Sequence, residues 1–270
     1  MTVVQIPPLP VRDKSAGRAL SPMLTRLAEE RATGVLVREH GTLYLAEGRV
    51  VHAESPFAPG LDVLLTAHGT LAATAWQRAA TETSGPLQAA ELLLDAGLLP
   101  AGALELCHLD ALYDAGYFAL APSSAPGRFR YDRAHRLGPL PSVPVVALER
   151  ETLRRRLLLH RLWPDPAADT APLIRADPAA ARTAAPVTPR QRAVLDRVDG
   201  VRTAAGIARN LGRQAFHTLV DVRRLVAAGH LAPAAPVTPV VTALAPPLPP
   251  PVTDPDIALL KRLRDALEAL

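Results

Sequence analysis

His52 and Glu54 stand two positions apart at the end of the segment GTLYLAEGRVVHAES. On a strand, residues i and i+2 leave the same face, so the pair has the placement of a general base with a carboxylate to orient it. Catalysis needs more than that. No serine, cysteine or second carboxylate is tied to the pair by a recognisable spacing, and the competing reading is a surface pair on a scaffolding hairpin whose turn is made by Gly48. The single cysteine, Cys107, falls in an apolar helical pattern where a small buried thiol is expected. One cysteine provides neither an internal disulfide nor a multi-cysteine metal site. The eight histidines never stand four apart, which argues against a helical zinc pair. The chain has no phosphate-binding glycine loop, dinucleotide fingerprint or nucleophile elbow. No catalytic residue, metal ligand or cofactor is therefore assigned, and no enzymatic activity is expected.

Charge points elsewhere. Thirty basic residues against 26 acidic ones leave +4, and the basic ones are arginine except Lys14 and Lys261. With heavy Ala, Leu and Pro use, that bias reads as a GC-rich coding background, so only local clustering counts. Between Pro186 and Ala232 eight arginines face three aspartates, a surplus of five that exceeds the net charge of the whole chain. A basic patch of this kind is the electrostatic footprint of a phosphate-bearing partner. The run Arg154 to Arg156 reads as a solvated helix face, and Trp76 and Trp163 as core anchors.

Positioning elements follow from periodicity. Residues 1–20 read as a flexible, Pro-punctuated arm. Ser21-Pro22 is a cap followed by the proline tolerated at a first helical position, and it opens a helix to about Ala32. Three strands, Gly34 to Arg38, Thr42 to Ala46 and Arg49 to Ala53, form a meander with Val35, Val37, Leu43, Leu45, Val51 and Ala53 as apolar faces. Four helices follow, one starting at a Thr70 cap and the last ending at Gly116, and then a second hairpin, Tyr117 to Leu120 with Arg128 to Asp132. The first domain spans 21–138. Residues 139–163 are an extended segment and an Arg-rich helix seated by Leu153, Leu157, Leu158 and Leu162. Residues 164–187 are an Ala/Pro linker, 188–232 a compact helical module, and 233–252 a Pro-rich linker. At 253–270, Asp254 and Pro255 start a helix whose Leu259, Leu260, Leu263, Leu267 and Leu270 share one arc, a surface for a protein partner or a second copy.

Two stretches carry resemblances. ATGVLVREHGTLYLAEGRVVHAESPFAPGLDVLLTAHGTL, within residues 21–137, resembles the PATAN-type domain, a bacterial signalling module often fused to receiver, kinase or DNA-binding modules; the resemblance implies an adaptor that makes protein contacts. TPRQRAVLDRVDGVRTAAGIARNLGRQAFHTLVDVRRLVAAGHLAP, residues 188–233, looks like the helix-turn-helix core of winged-helix regulators, with Gly212 in the turn and a wing shortened to the single strand HLA. That likeness implies a recognition helix from Arg213, on which Arg213, Gln214, His217, Asp221 and Arg224 share an exposed arc. Arg202, Arg213, Gln214, His217 and Arg224 are then the duplex DNA contacts, and Asp221 stands against phosphate.

The expected fold class is α+β, a small antiparallel sheet covered by helices, followed by a winged-helix-like module and a tethered C-terminal helix. Two functions stay open: a regulator that binds duplex DNA, and a signalling adaptor that uses both modules for protein contacts. The N-terminal residues lack a signal-peptide pattern and no apolar run approaches a membrane span, so a cytoplasmic protein with no membrane partner is expected.

Overall fold

The computed structural model describes residues 20–67, 69–83, 86–131, 141–177, 186–234 and 257–268. It begins with α1 (Pro22–Glu29), where the Ser21 hydroxyl accepts a hydrogen bond from the Leu24 N–H and Pro22 takes the first position. The meander follows as β1 (Gly34–Arg38), β2 (Gly41–Ala46) and β3 (Arg49–Glu54). Its inner face differs from the simple alternation. Cross-strand partners share a face, and the register pairs Leu36 with Leu43, Leu43 with Ala53 and Leu45 with Val50. Leu36 and Val50 are therefore buried, and Val37 is exposed. The register slips between Tyr44 and Leu45, so one residue of β3, Val51, is extra. Such a bulge brings two residues three apart, Val50 and Ala53, onto one side.

Helices α2 (Leu61–Thr66), α3 (Ala73–Glu82), α4 (Pro86–Asp95) and α5 (Ala101–Ala119) come next. The cap of α3 is Ala72, not Thr70. Helix α5 does not stop at Gly116. It runs on through Ala119 because the glycine accommodates a neighbour: a Cβ there would lie 2.7 Å from Leu148 Cδ1. Residues 117–120 are thus helical or turn rather than half of a second hairpin, and β4 (Arg128–Tyr131) pairs with β1 instead. A short β5 (Val143–Pro144) pairs with β3, which completes an antiparallel sheet in the order β4-β1-β2-β3-β5. This sheet with its helices is an α+β fold.

Two apolar clusters serve this half. One joins the sheet, α1, the C-terminal half of α5 and the start of the helix that follows β5 through Leu24, Leu36, Leu43, Leu45, Leu112 and Leu148. The other holds α2 to α4 on the start of α5 around Leu65, Trp76 and Leu93.

The chain continues in α6 (Val145–Leu162), α7 (Ala167–Thr170), β6 (Leu173–Arg175), α8 (Pro189–Leu195), α9 (Ala204–Leu211), α10 (Ala215–Ala227) and β7 (Leu231–Pro233). Helix α6 buries Leu148, Thr152, Arg155 and Leu159, whereas Leu157 is exposed, so the expected leucine face is not the seat. The expected linker 164–187 includes α7 and β6, and β6 pairs with β7. A third cluster unites Leu159, Leu173, Val194, Ile207, Phe216 and Leu225. Residues up to Ala234 make one compact unit. Residues 235–270 are a second unit, in which α11 (Ile257–Glu268) is helical and Leu267 is 71% exposed. The caps Asp254 and Pro255, Leu270, and the side chains of Leu259, Leu260 and Leu263 lie outside the described residues, as does all but Leu20 of the expected arm 1–20. Among the described residues no helix is long and apolar enough to cross a membrane.

The β2–β3 turn ties the meander to α1. Gly48 has φ +73°, and a Cβ there would lie 2.5 Å from the Ala28 carbonyl oxygen. Gly48→Val is expected to cost about 2 kcal/mol or more in chemical unfolding, since it combines left-handed strain with a backbone collision. Gly48→Asn, which tolerates the turn but keeps the collision, should remain destabilised.

Candidate functional site

Within residues 188–233, the stretch that resembles a helix-turn-helix, three helices form, the first two with local caps. Thr188 and Gln191 form a reciprocal capping box on α8, Thr203 caps α9, and Gly212 ends α9 in the left-handed conformation at φ 60°. Ile207, Phe216, Leu219 and Val222 knit the helices together.

Its surroundings are not those of an open recognition helix. Gly212 lies on α2, where a Cβ would fall 1.9 Å from Ala67 Cβ. Arg213 and Gln214 line a recess of about 380 Å³ with Leu64, Cys107 and Asp110, and the Gln214 side chain hydrogen-bonds Asp110. Asp221 is not on an exposed arc; it is 5% exposed, with one oxygen 3.4 Å from the Arg190 guanidinium. Arg202 is spent on Asp199 at 3.1 Å and on the Arg197 carbonyl. His217 lines the same recess as Arg213 and Gln214 while part of its side chain reaches solvent, and Arg224 is exposed. Burial, with Arg190 and Arg155 nearby, lowers the His217 pKa and so disfavours its cationic form. Of the five expected DNA contacts, three therefore line the recess beside α2 and α5, one is paired in its own loop, and Arg224 remains on the surface.

The residue that organises this arrangement escapes sequence inspection. Gln214, at the cap position of α10, makes no capping bond with its side chain. The cap comes from α5: Asp114, 0% exposed, accepts the Ala215 N–H at 2.6 Å and the Phe216 N–H at 2.9 Å. A carboxylate at a helix N-terminus satisfies orphan donors and meets the positive end of the dipole. Burial nevertheless pushes Asp114 up to about 6, against the opposing pull of those N–H groups and of Arg155. Arg155 lies 3.8 Å from Asp114 and donates to Glu151 at 2.9 Å and to the Tyr113 carbonyl at 3.0 Å. Its guanidinium sits 4.6 Å from the centre of the Phe216 ring, within cation–π range. Arg154 is the solvated member of the arginine run, whereas Arg155 is buried. Arg223 forms a second clamp, with Nε and Nη2 on the two carboxylate oxygens of Asp169 and Nη1 donating to the Leu159 and Trp163 carbonyls.

The His52 and Glu54 pair is split between core and surface. His52 is 4% exposed and stacks on His108 of α5, ring centres 5.7 Å apart, while Glu54 accepts from the Tyr44 hydroxyl at 2.9 Å. His52 Nε2 and Glu54 lie 3.5 Å apart. Burial, then the neighbouring His52, pushes His108 down to about 4, although the Val51 backbone pulls the other way. Burial raises the Cys107 thiol, the reverse of an activated nucleophile. Among the described residues no three His, Cys, Asp or Glu side chains converge as a metal site would require.

No family model, curated protein or solved structure matches the chain. The site's chemistry is accordingly argued from its own geometry.

Asp114→Ala leaves two buried N–H groups without an acceptor and is expected to cost about 2–3 kcal/mol, measured by chemical unfolding. The pH dependence has a definite sign. The folded pKa of His108, about 4, lies below its ordinary 6.5. Its neutral ring therefore contributes stability that is fully present above about 6.5 and is lost as pH falls towards 4, on the order of 3 kcal/mol over that window. Asp114, raised to about 6, works in the opposite sense, so the His108 contribution is isolated by difference. From pH 7 to pH 4.5 the wild type should lose stability steadily relative to His108→Leu.

Proposed function

We propose that the chain is a non-enzymatic signalling adaptor in which the helix-turn-helix is part of a protein scaffold rather than a reader of DNA. One observation carries this reading: the N-terminal turn of α10 is capped by Asp114 of α5, and the preceding turn lies on α2. A recognition helix meets base edges with its N-terminal residues while lying in the major groove. Here that end is occupied by protein.

The charge surplus is only partly engaged by the fold. Arg190 and Arg202 pair with Asp221 and Asp199, acids already counted against that surplus, whereas Arg223 pairs with Asp169 outside the segment and Arg209 donates to the Pro56 carbonyl of the first half. The resemblance of the N-terminal half to a PATAN-type module agrees with an adaptor role, and the leucine stripe of 253–270 supplies a tethered element for a protein partner or a second copy.

The DNA-binding regulator is the alternative, and one titration separates the two. With a labelled random duplex at low ionic strength, the adaptor reading expects no saturable binding by the full chain. A helix-turn-helix neutralising four phosphates would instead bind with log K falling against log salt at a slope of about −3.6.

A further inference from the structure

A cleft of about 700 Å³ runs between the sheet half and the helix-turn-helix half, within the range of small-molecule sites. One wall is aromatic. His40 packs edge-on against Phe57 at 5.7 Å, Phe57 meets Phe118 at 5.9 Å, and Phe118 meets Tyr117 at 5.1 Å. Aromatic residues are only 4% of the chain, so two phenylalanines and a tyrosine on one cleft are a concentration.

The polar groups on the lining are not equivalent. Arg223 and Asp169 satisfy each other, and Asp165 at the exposed rim caps α7 through the Ala167 N–H at 2.9 Å. Arg156 has no carboxylate partner among the described residues; its one protein acceptor is the Leu120 carbonyl, and Arg38 beside it likewise donates only to the Ala121 carbonyl. Burial lowers the Arg156 pKa, as it does for a cation that lacks a counter-charge, and Arg38 adds to the effect. The Tyr117 phenol, pushed up to about 12 mainly by burial, keeps its proton and has no acceptor among the described residues. A guanidinium with free N–H groups and a phenol donor therefore share one cleft with an aromatic wall.

We propose that this cleft binds a small aromatic monocarboxylate, its carboxylate on Arg156 and the Tyr117 hydroxyl and its ring against Phe57 and Phe118. The guanidinium fork matches a carboxylate, and the stacked wall suits a flat ring. The negative charge of Asp165 at the rim disfavours dianions. The site does not depend on whether the chain is an adaptor or a DNA regulator, and its failure would leave that question untouched.

Isothermal titration of the full chain with 1-naphthoate, naphthalene-1-methanol and 1-naphthylmethylamine tests the assignment. The carboxylate should bind saturably and at least about tenfold more tightly than the alcohol, the amine should not bind, and both Arg156→Met and Tyr117→Phe should weaken 1-naphthoate, the former by about tenfold or more. Tyr117→Phe keeps the ring and guards against a folding failure of Arg156→Met. Equal affinity for alcohol and carboxylate, no detectable binding of 1-naphthoate, or a carboxylate affinity indifferent to Tyr117→Phe and to a folded Arg156→Met would overturn the proposal.

Discussion

The placement of the helix-turn-helix depends on one buried carboxylate. Asp114 sits in the middle of α5, a helix whose other residues join the sheet cluster and the α2 to α4 cluster, and it closes the open end of α10. Burying a carboxylate is costly unless its oxygens are saturated. Two backbone donors and a nearby guanidinium meet that need, and in meeting it they fix the axis of α10 relative to the sheet. Arg155 extends the constraint: it reaches Asp114, Glu151 and the Phe216 face at once, so α5, α6 and α10 are held by one connected polar group.

Everything that distinguishes this body from two tethered domains follows from that constraint. With α10 held by its N-terminus, Gly212 meets Ala67 closely enough that no side chain fits. Phe118 is packed against both the sheet cluster and the helix-turn-helix cluster, so no water-filled gap divides them there. What remains between the halves is a cleft with an aromatic wall and an uncompensated arginine.

Local signals were legible in the sequence. The Ser21-Pro22 and Thr188-Pro189 caps, the three strands of the meander, the glycine that ends α9 and the helical boundaries of α8 to α10 all follow from chemistry confined to a few neighbouring residues. The non-local features were not. Alternation alone assigned Val37 and Val51 to the core, whereas cross-strand register and a bulge put Leu36 and Val50 there. Gly116 looked like a helix end because nothing nearby in sequence announces that Leu148 will lie over it. The segment PLIR reads as linker because its strand partner lies some sixty residues downstream at β7. Helical periodicity puts Arg213, Gln214, His217, Asp221 and Arg224 on one exposed arc, but it is silent about which body that arc meets, and Asp221 is buried. Asp114, one of three acids in α5 with Glu105 and Asp110, carried no local mark of its role; a carboxylate on the buried face of a predicted helix is the one signal that would have pointed to it.

Native-state hydrogen exchange, read residue by residue at increasing sub-denaturing urea, addresses the fusion of the two halves most directly. The account predicts that the most protected amides of α9 and α10, such as those of Ile207, Leu219 and Val222, open with the same free energy and the same denaturant slope as those of Leu36, Leu43 and Leu45. Opening of residues 189–234 at a distinctly lower free energy, with the sheet amides still protected, would show that the helix-turn-helix is an independent module and would contradict it.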